Sequence, residues 1–545
     1  MRKILSLVLC MLLILSLSAS AFADTKLPTI TVVENAGENG TGAVFSAYKL
    51  MDVTYNSDKT LFTYTINKAY ENILYAVTGK TKEVEVLDYL LQIKDSDGED
   101  AGMRKFADDV YAAIKAANIT ADYISNSDEK DFDDVAEGYY LIVETPRGGI
   151  PDTVSLAMLK TVYNGGDNTF NAKEDYPTVE KSVKEVNDSE SADGSWGNTA
   201  NYDIGDKIEF KLEGSVSDRY KYYKDYYYSF HDTLDGTMTF TSPSDIVIKI
   251  DEVPVTNYFH ISFGTVGTKG TETFKYTFTA KANLKDIEKN IEDFEIDSES
   301  KIVVTYSAVL TENAVIGEPG NKNKVYLVYQ NDPYADSLGY NPTDPTKPND
   351  PREPKEPINP GKTPENVVVV YTFKTIVNKV TAAGKPLTGA GFTLYKWEKV
   401  NNSWDWKAIG QEIKVTELGT DNKADFNFMG LDAGIYKLHE STVPSGYNAV
   451  EDLLFAIVSE GNTLSVRNVT WKDTENDWNI GTEHNDIFTV NVSSGSITVD
   501  IENNFGQQLP ETGGTGTTVL YVVGAVLVLA AVVLLVTKKR MASAE

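Results

Sequence analysis

Cysteine is almost missing: the 545 residues contain one, Cys10, and it falls in an N-terminal apolar stretch. Disulfide staples and thiolate metal sites are thereby excluded. Histidine is nearly as scarce. His231, His260, His439 and His484 stand apart, with no metal-ligand spacing. Positive charge is also short, 50 Lys plus Arg against 80 Asp plus Glu, for a formal net charge of −30. Such a surface repels nucleic acid and anionic lipid, so neither DNA nor RNA is an expected partner. No Ser-His-Asp set or phosphate-cradling loop stands out. An enzyme is therefore not expected, nor a cofactor or a metal. The acidic run Asp95-Ser96-Asp97-Gly98-Glu99-Asp100 has its glycine misplaced for a calcium loop and reads as solvated.

What is present begins at the ends. Arg2 and Lys3 precede an apolar stretch from Ile4 to Leu17, and Ala21-Phe22-Ala23 offers a cut before Asp24, the pattern of a secretory signal peptide. At the other end stand Leu509-Pro510-Glu511-Thr512-Gly513, a charge-free run from Val519 to Val536, and Lys538-Lys539-Arg540. The run is long enough to cross a bilayer as a helix, and the basic cluster stays cytoplasmic. This order resembles the sorting signal of Gram-positive surface proteins, which a sortase cleaves after the Thr. The resemblance implies that Thr512 ends the mature chain, joined to an amine, and that the tail is discarded. A permanent single-pass anchor is the plainer alternative. Processing at both ends would leave 45 basic and 79 acidic residues, a balance of −34.

Between the ends, Tyr, Thr and Val recur in short alternating runs broken by Gly, Asn and Asp, which predicts an all-β chain of tandem immunoglobulin-like sandwiches. About 490 mature residues exceed one core. The expected division is 1–23 signal peptide, 24–175 first domain, 176–332 second domain, 333–364 Pro-rich linker, 365–506 third domain and 507–545 sorting signal. That signal comprises the pentapeptide 509–513, a membrane helix over about 518–536 and the basic tail 538–540. In the first domain Met103, Phe106, Val110, Ile114 and Ala117 predict a helix over 103–118, and Val84, Leu87, Leu90 and Leu91 suggest another. The second domain reads as purely β, with a Tyr cluster (Tyr220, Tyr222, Tyr223, Tyr226, Tyr227, Tyr228) expected on half-exposed strand and loop. In the linker Pro342, Pro345, Pro348, Pro351, Pro354, Pro357 and Pro360 fall every third residue, the period of polyproline II. Fully extended, the segment would be a spacer of roughly 60 Å; folding back along the domains is the other arrangement.

One internal repeat points to chemistry. Gly138-Tyr139-Tyr140-Leu141-Ile142-Val143-Glu144 matches Gly434-Ile435-Tyr436-Lys437-Leu438-His439-Glu440 as Gly-x-Tyr-x-x-x-Glu. On a strand, Tyr436, Leu438 and Glu440 share one face, which sets a carboxyl among apolar neighbours and favours its neutral form. A strand-end Glu turned to water is the alternative. The longer segment Tyr436–Tyr447 resembles the E-box of sortase-assembled pilins and related collagen-adhesin B-type domains, and the order of parts fits a major shaft pilin.

In that family a Lys and an Asn on adjacent strands condense into an intramolecular isopeptide bond, helped by a buried carboxylic acid. The chemistry needs a neutral lysine, which an apolar site provides, and a protonated acid that polarises the amide carbonyl as ammonia leaves. In the third domain the resemblance nominates Lys379, Asn503 and the acid Glu440. Asn504 is the nearest rival, but a one-residue slip turns its side chain to the other face. In the second domain it nominates Lys181, in Val179-Glu180-Lys181-Ser182-Val183, and Asn323. There Phe230-His231-Asp232-Thr233-Leu234 supplies Asp232 as the acid. Exposed polar residues without chemistry are the alternative. The first domain keeps Glu144, but Thr29–Val33 offers no lysine, so no bond is expected there.

Polymer growth in shaft pilins needs a lysine near the end of the first domain. Lys173, in Phe170–Pro177, occupies that place without the usual Tyr-Pro-Lys order. Lys160 and Lys184 remain open, as does Lys181 should its internal bond be absent. The resemblance implies a wall-anchored, secreted structural subunit of a covalent pilus, present first as a membrane-bound precursor. Its implied partners are a pilus-specific sortase, other copies of itself, accessory pilins, and peptidoglycan through a housekeeping sortase. The rival reading is a monomeric adhesin, or a basal or tip pilin, binding host glycoprotein or matrix.

Overall fold

The computed structural model describes residues 27–34, 43–56, 62–93, 101–126, 130–146, 154–164, 166–172, 175–190, 193–264, 274–342, 351–461, 463–473, 477–506 and 515–541. In the first domain, strands run in the order Phe62–Ile66, Phe45–Tyr55, Gly138–Glu144 and Met158–Val162, and Thr31–Glu34 pairs in parallel with Thr169–Ala172. The helix Ala101–Ala116 lays Phe106, Val110 and Ile114 into a core shared with Leu50, Leu141 and Val143. It stops short of the expected 118 because Asn118 adopts φ 51, the left-handed turn that ends helices. The second expected helix lies at Glu83–Gln92. A third, Glu71–Thr78, carries too short an apolar stripe (Ile73, Leu74) to declare itself in the sequence.

The second domain is a two-sheet sandwich, one sheet containing Val179–Glu185, Lys207–Gly214 and Ile302–Leu310, the other Tyr227–Asp235, Asn321–Tyr329 and Phe274–Asn283. Two expectations fail here. The domain is not purely β: Asn283 caps a short helix, Leu284–Asn290, by accepting from Lys285 N. The tyrosines are not half-exposed either, since Tyr220, Tyr223, Tyr226, Tyr227 and Tyr228 are buried. A 3₁₀ turn, Tyr220–Tyr222, folds the segment over the end of the core, where Tyr220 and Tyr223 each meet Tyr226 edge to face. Of the cluster, Tyr222 alone stays exposed.

The boundary after the second domain also moves. Gly361–Lys362 and Asn366–Tyr371 pair with Asn321–Tyr329, so the domain runs to 371 rather than 332. The described part of the Pro-rich segment is no free spacer. Tyr334 packs edge to face on Tyr111 of the first domain, and its hydroxyl donates to Asp108. The chain then turns back through the Tyr340–Pro354 bridge and is held by the Lys281–Glu353 ion pair at 2.5 Å. Pro345 and Pro348 lie outside the described residues.

The third domain opposes a four-stranded sheet, Asp425–Leu431, Phe373–Thr381, Ser496–Asn503 and Phe488–Asn491, to a larger one built on Ala390–Val400, Gly434–Thr442 and Leu453–Val458. Its first and last strands, Phe373–Thr381 and Ser496–Asn503, pair in parallel. On the outer face of the larger sheet, Trp397 pairs with Trp406 and Trp471 with Trp478, and the pairs meet edge to face over Ile435 and Ala456. The described apolar helix Thr515–Met541 contains a membrane-length stretch, Leu520–Lys539, with mean hydropathy 2.9.

The second and third domains touch closely at Gly317, where Gly317 N donates to Thr372 O and Glu318 N to Ser493 O. Gly317 has φ 73, and a Cβ there would sit 2.3 Å from Gly495 N. Gly317→Ala is therefore expected to destabilise the ectodomain by about 2 kcal/mol or more. A urea midpoint equal to the parent's would contradict that close approach.

Candidate functional site: two buried lysine, acid and amide triads

In the third domain, alternation along two neighbouring strands turns Lys379 and Asn503 inward. The parallel register sets Lys379 opposite Ile501 and Thr381 opposite Asn503, so the two side chains share a face. Lys379 is fully buried and Asn503 is 1% exposed. Glu440 arrives on Gly434–Thr442 and receives the Asn503 amide on both oxygens, Nδ2 donating at 2.9 and 3.1 Å. Lys379 Nζ donates to Ile501 O at 2.7 Å. Asn504 points outward and is exposed, as alternation requires.

Burial pulls the Lys379 ammonium down to about 8, against the opposing pull of Glu440 and Glu502. A lysine titrating there is partly neutral near pH 7 and can act as a nucleophile. Asn503 Oδ1 is buried with no hydrogen-bond partner among the described residues. Such an orphan acceptor costs about 1–3 kcal/mol, a burden more usual at reactive sites than in plain cores. As the amide stands, Glu440 holds the nitrogen that would leave. With the amide turned over, a protonated Glu440 would donate to Oδ1 and polarise the carbonyl.

The second-domain triad has a different geometry. Lys181 lies on Val179–Glu185, while Asp232 and Asn323 lie on adjacent strands of the opposite sheet, so a bond here would join the two sheets. The family resemblance implied adjacent strands. Lys181 Nζ forms a buried ion pair with Asp232 Oδ2. At the centre is Tyr306, which sequence reasoning did not find. Its hydroxyl donates to Asp232 Oδ1 at 2.8 Å and accepts from Lys181 Nζ at 2.9 Å and Asn323 Nδ2 at 2.6 Å. Phe210 and Phe240 stack on its ring, each with centroids 5.4 Å away, and Phe278 closes the edge.

This aromatic box dries the site. Burial lowers Lys181 to about 8 despite Asp232, and burial raises Asp232 although Lys181 opposes it. Asn323 Oδ1, like its counterpart in the third domain, is buried without a hydrogen-bond partner among the described residues. Tyr306 could have been suspected only from its inward parity on Ile302–Leu310, which 31 tyrosines make a weak signal.

The first domain has the acid in another setting. Glu144 is buried and accepts from Ser155 N at 2.9 Å, with the Arg219 guanidinium of the second domain also felt nearby. Lys160 sits half-buried opposite Tyr140, and Lys184 pairs with Glu209 at 3.3 Å. Lys173, Leu509, Pro510, Glu511, Thr512, Gly513 and the acidic run 95–100 lie outside the described residues. His231 stacks on Tyr326 and is lowered to about 4 by burial, while His439 pairs with Asp452 at 2.6 Å.

If Lys379 titrates as described, a variant unable to bond, Asn503→Ala, should show it in its stability. The folded state releases the proton near 8 and the unfolded chain near 10.5, so stability rises with pH across that window and is lost below it. Urea midpoints measured through the window, against Asn503→Ala/Lys379→Met, check this; equal profiles would refute the assignment.

Comparison with known proteins gives a consistent setting. Residues 373–474 match the SpaA prealbumin-like fold domain, and residues 501–543 match the LPXTG cell wall anchor motif. The trypsin-resistant surface T6 protein of Streptococcus pyogenes serotype M6 is 24% identical over 284 residues, 44% of this chain and 48% of that protein. The chain thus spans about half the length of this curated relative. The structure described as the T6 backbone pilin of serotype M6 Streptococcus pyogenes, modular and three-domain, superposes with a TM-score of 0.50 at 16% identity. That match covers 89% of this chain and 100% of that one.

Proposed function

We propose that this chain, a wall-anchored surface protein with the three-domain fold of a backbone pilin and an LPXTG motif, is the shaft subunit of a covalent pilus. The observation that carries the reading is the pair of buried triads, each setting a depressed lysine near a carbonyl-unpaired asparagine, Asn503 bound to its acid directly and Asn323 linked to Asp232 through the Tyr306 hydroxyl. A polymer under tension needs strength that a chain with one cysteine, Cys10 in the expected signal peptide, cannot obtain from internal disulfides.

In each triad neutral Lys Nζ attacks Asn Cγ. The amine proton passes through the acid to Nδ2, the Cγ–Nδ2 bond breaks, ammonia leaves, and an amide remains. Glu440 serves Lys379 and Asn503. Asp232 serves Lys181 and Asn323, with the Tyr306 hydroxyl bridging acid, lysine and amide so that the proton has a fixed route. Each site turns over once. Subunits join when a sortase breaks the Thr512–Gly513 bond and Lys173 of the next subunit takes the Thr512 acyl group, releasing the sortase.

Intact-mass spectrometry of the ectodomain should find it lighter than its translation by two molecules of ammonia. Glu440→Ala and Asp232→Ala should each restore one, and Tyr306→Phe should slow the second-domain loss roughly 100-fold, the lower end of what a positioned proton-transfer group contributes. A mass equal to the plain translation removes the internal chemistry. On cells, Lys173→Ala should abolish the high-mass ladder of wall extracts. A persistent ladder moves the attachment to another lysine, while single bands from the parent chain favour a monomeric adhesin.

A further inference from the structure

The third domain is seated on the second at one end, by the Gly317 contact and by a third buried lysine, Lys396. Lys396 Nζ reaches Asp432 Oδ1 of its own domain at 2.5 Å, and Asp203 at 2.7 Å and Asp188 at 3.1 Å from the second domain. From that junction Phe373–Thr381 and Ser496–Asn503 run side by side to the opposite end, where Thr381 stands across from Asn503. The chain leaves the fold there.

The segment that supplies Glu440 also clasps this exit. Beyond Glu440 it turns at Pro444, whose carbonyl accepts from Tyr447 N at 3.1 Å. Asn448 N then donates to Asn504 O at 3.1 Å, and Gly506 N donates to Gly446 O at 3.2 Å. Between these bonds Tyr447 and Phe505 form an antiparallel bridge, their rings edge to face with centroids 5.4 Å apart. Gly446 has φ 86, and a Cβ there would lie 3.3 Å from the Phe505 ring. The backbone of 504–506 is therefore held on a fixed line, directly after the Asn503 that Glu440 binds.

Phe505 itself faces water. It is 80% exposed, more than any other described aromatic outside the apolar helix. A single exposed apolar side chain is ordinary on a surface. This one differs in being fixed by a clasp and in standing close to the sorting pentapeptide. Only Gln507 and Gln508 separate Gly506 from Leu509. The reach from Gly506 is at most about 11 Å to Leu509 and about 22 Å to Thr512. An enzyme of a hundred residues already has a radius of gyration of about 13 Å. To take Leu509–Gly513 into a groove, such an enzyme must bring its rim against the end of the third domain.

We propose that Phe505, backed by Tyr447, is a docking surface for the sortase, which seats an apolar notch of its rim on the Phe505 ring while its groove holds Leu509–Gly513. This rests on the reading that a sortase cuts after Thr512. Glu502 and Asn504, exposed on the same strand end, offer the rest of the rim polar contacts. The ring lies away from the reacting bond and is buried equally before and during the reaction, so its effect falls on KM rather than kcat. A membrane surface and a second copy of this chain are the other occupants an exposed ring could meet.

The test uses the whole precursor in detergent micelles, its pilus-specific sortase, and hydroxylamine as the amine that takes the Thr512 acyl group. Release of the Gly513–Glu545 fragment gives the rate. Phe505→Ser should lower kcat/KM roughly tenfold, through KM, with kcat little changed. A flexible Gly/Ser insertion of about eight residues between Gln507 and Gln508 should also raise KM, because the motif is no longer held at the platform. The insertion alters no described residue, so it tests the surface even where Phe505→Ser loosens the clasp. Equal kcat/KM in the parent and both variants overturns the dock. So does a faster insertion variant, which would mean that the nearby fold only hinders the enzyme. A Phe505→Ser defect seen on cells but not in micelles assigns the ring to the membrane, and normal fragment release with slowed transfer to a second copy assigns it to that copy; either overturns the dock. A parent chain that releases no fragment overturns the sortase reading itself, and the dock with it.

Discussion

Placing a lysine in a dry interior is the constraint on which most else depends. An ammonium buried without compensation is unstable by several kcal/mol, so the fold must neutralise it, pair it or react it. The described residues show the first two routes, and the proposed bonds would be the third. Lys379 and Lys181 are pushed towards neutrality beside an amide, and Lys396 is pinned as an ion among aspartates. The difference lies in the number of carboxylates and in how dry the walls are. Phe210, Tyr306, Phe240 and Phe278 surround one acid at Lys181, whereas polar loops from two domains converge on Lys396.

Much of this was legible in the chain because β alternation is a strict rule. Once Tyr436, Leu438 and Glu440 share a face, the acid must look inward, and the same parity separates Asn503 from Asn504. What escaped is what parity cannot see. Tyr306 is inward on its strand like many others, and only the facing sheet makes it the partner of Lys181, Asp232 and Asn323. Lys396 finds Asp188 and Asp203 roughly two hundred residues away, and no local pattern encodes a contact formed when two domains dock.

The misplaced boundary has the same origin. Val367–Phe373 reads as one alternating run, yet its hydrogen bonds divide at Thr372: Asn366–Tyr371 pairs with the second domain and Phe373–Thr381 opens the third. A single β run serves two sheets, leaving no slack between them. The buried tyrosines make a related point, since clustered Tyr is compatible with surface or core and only the 3₁₀ turn at Tyr220–Tyr222 decides.

The parallel pairing of Phe373–Thr381 with Ser496–Asn503 sets how a pull on the chain would travel. Force entering at Phe373 and leaving beyond Asn503 acts at opposite ends of neighbouring strands, so their hydrogen bonds are loaded in shear, all together. An amide from Lys379 to Asn503 would shorten that path further. Load would cross within one strand length of its entry and continue to the wall-facing end, bypassing the hairpins in between. Those hairpins, including the tryptophan pairs on the outer face, would then be free to vary in sequence without weakening that path.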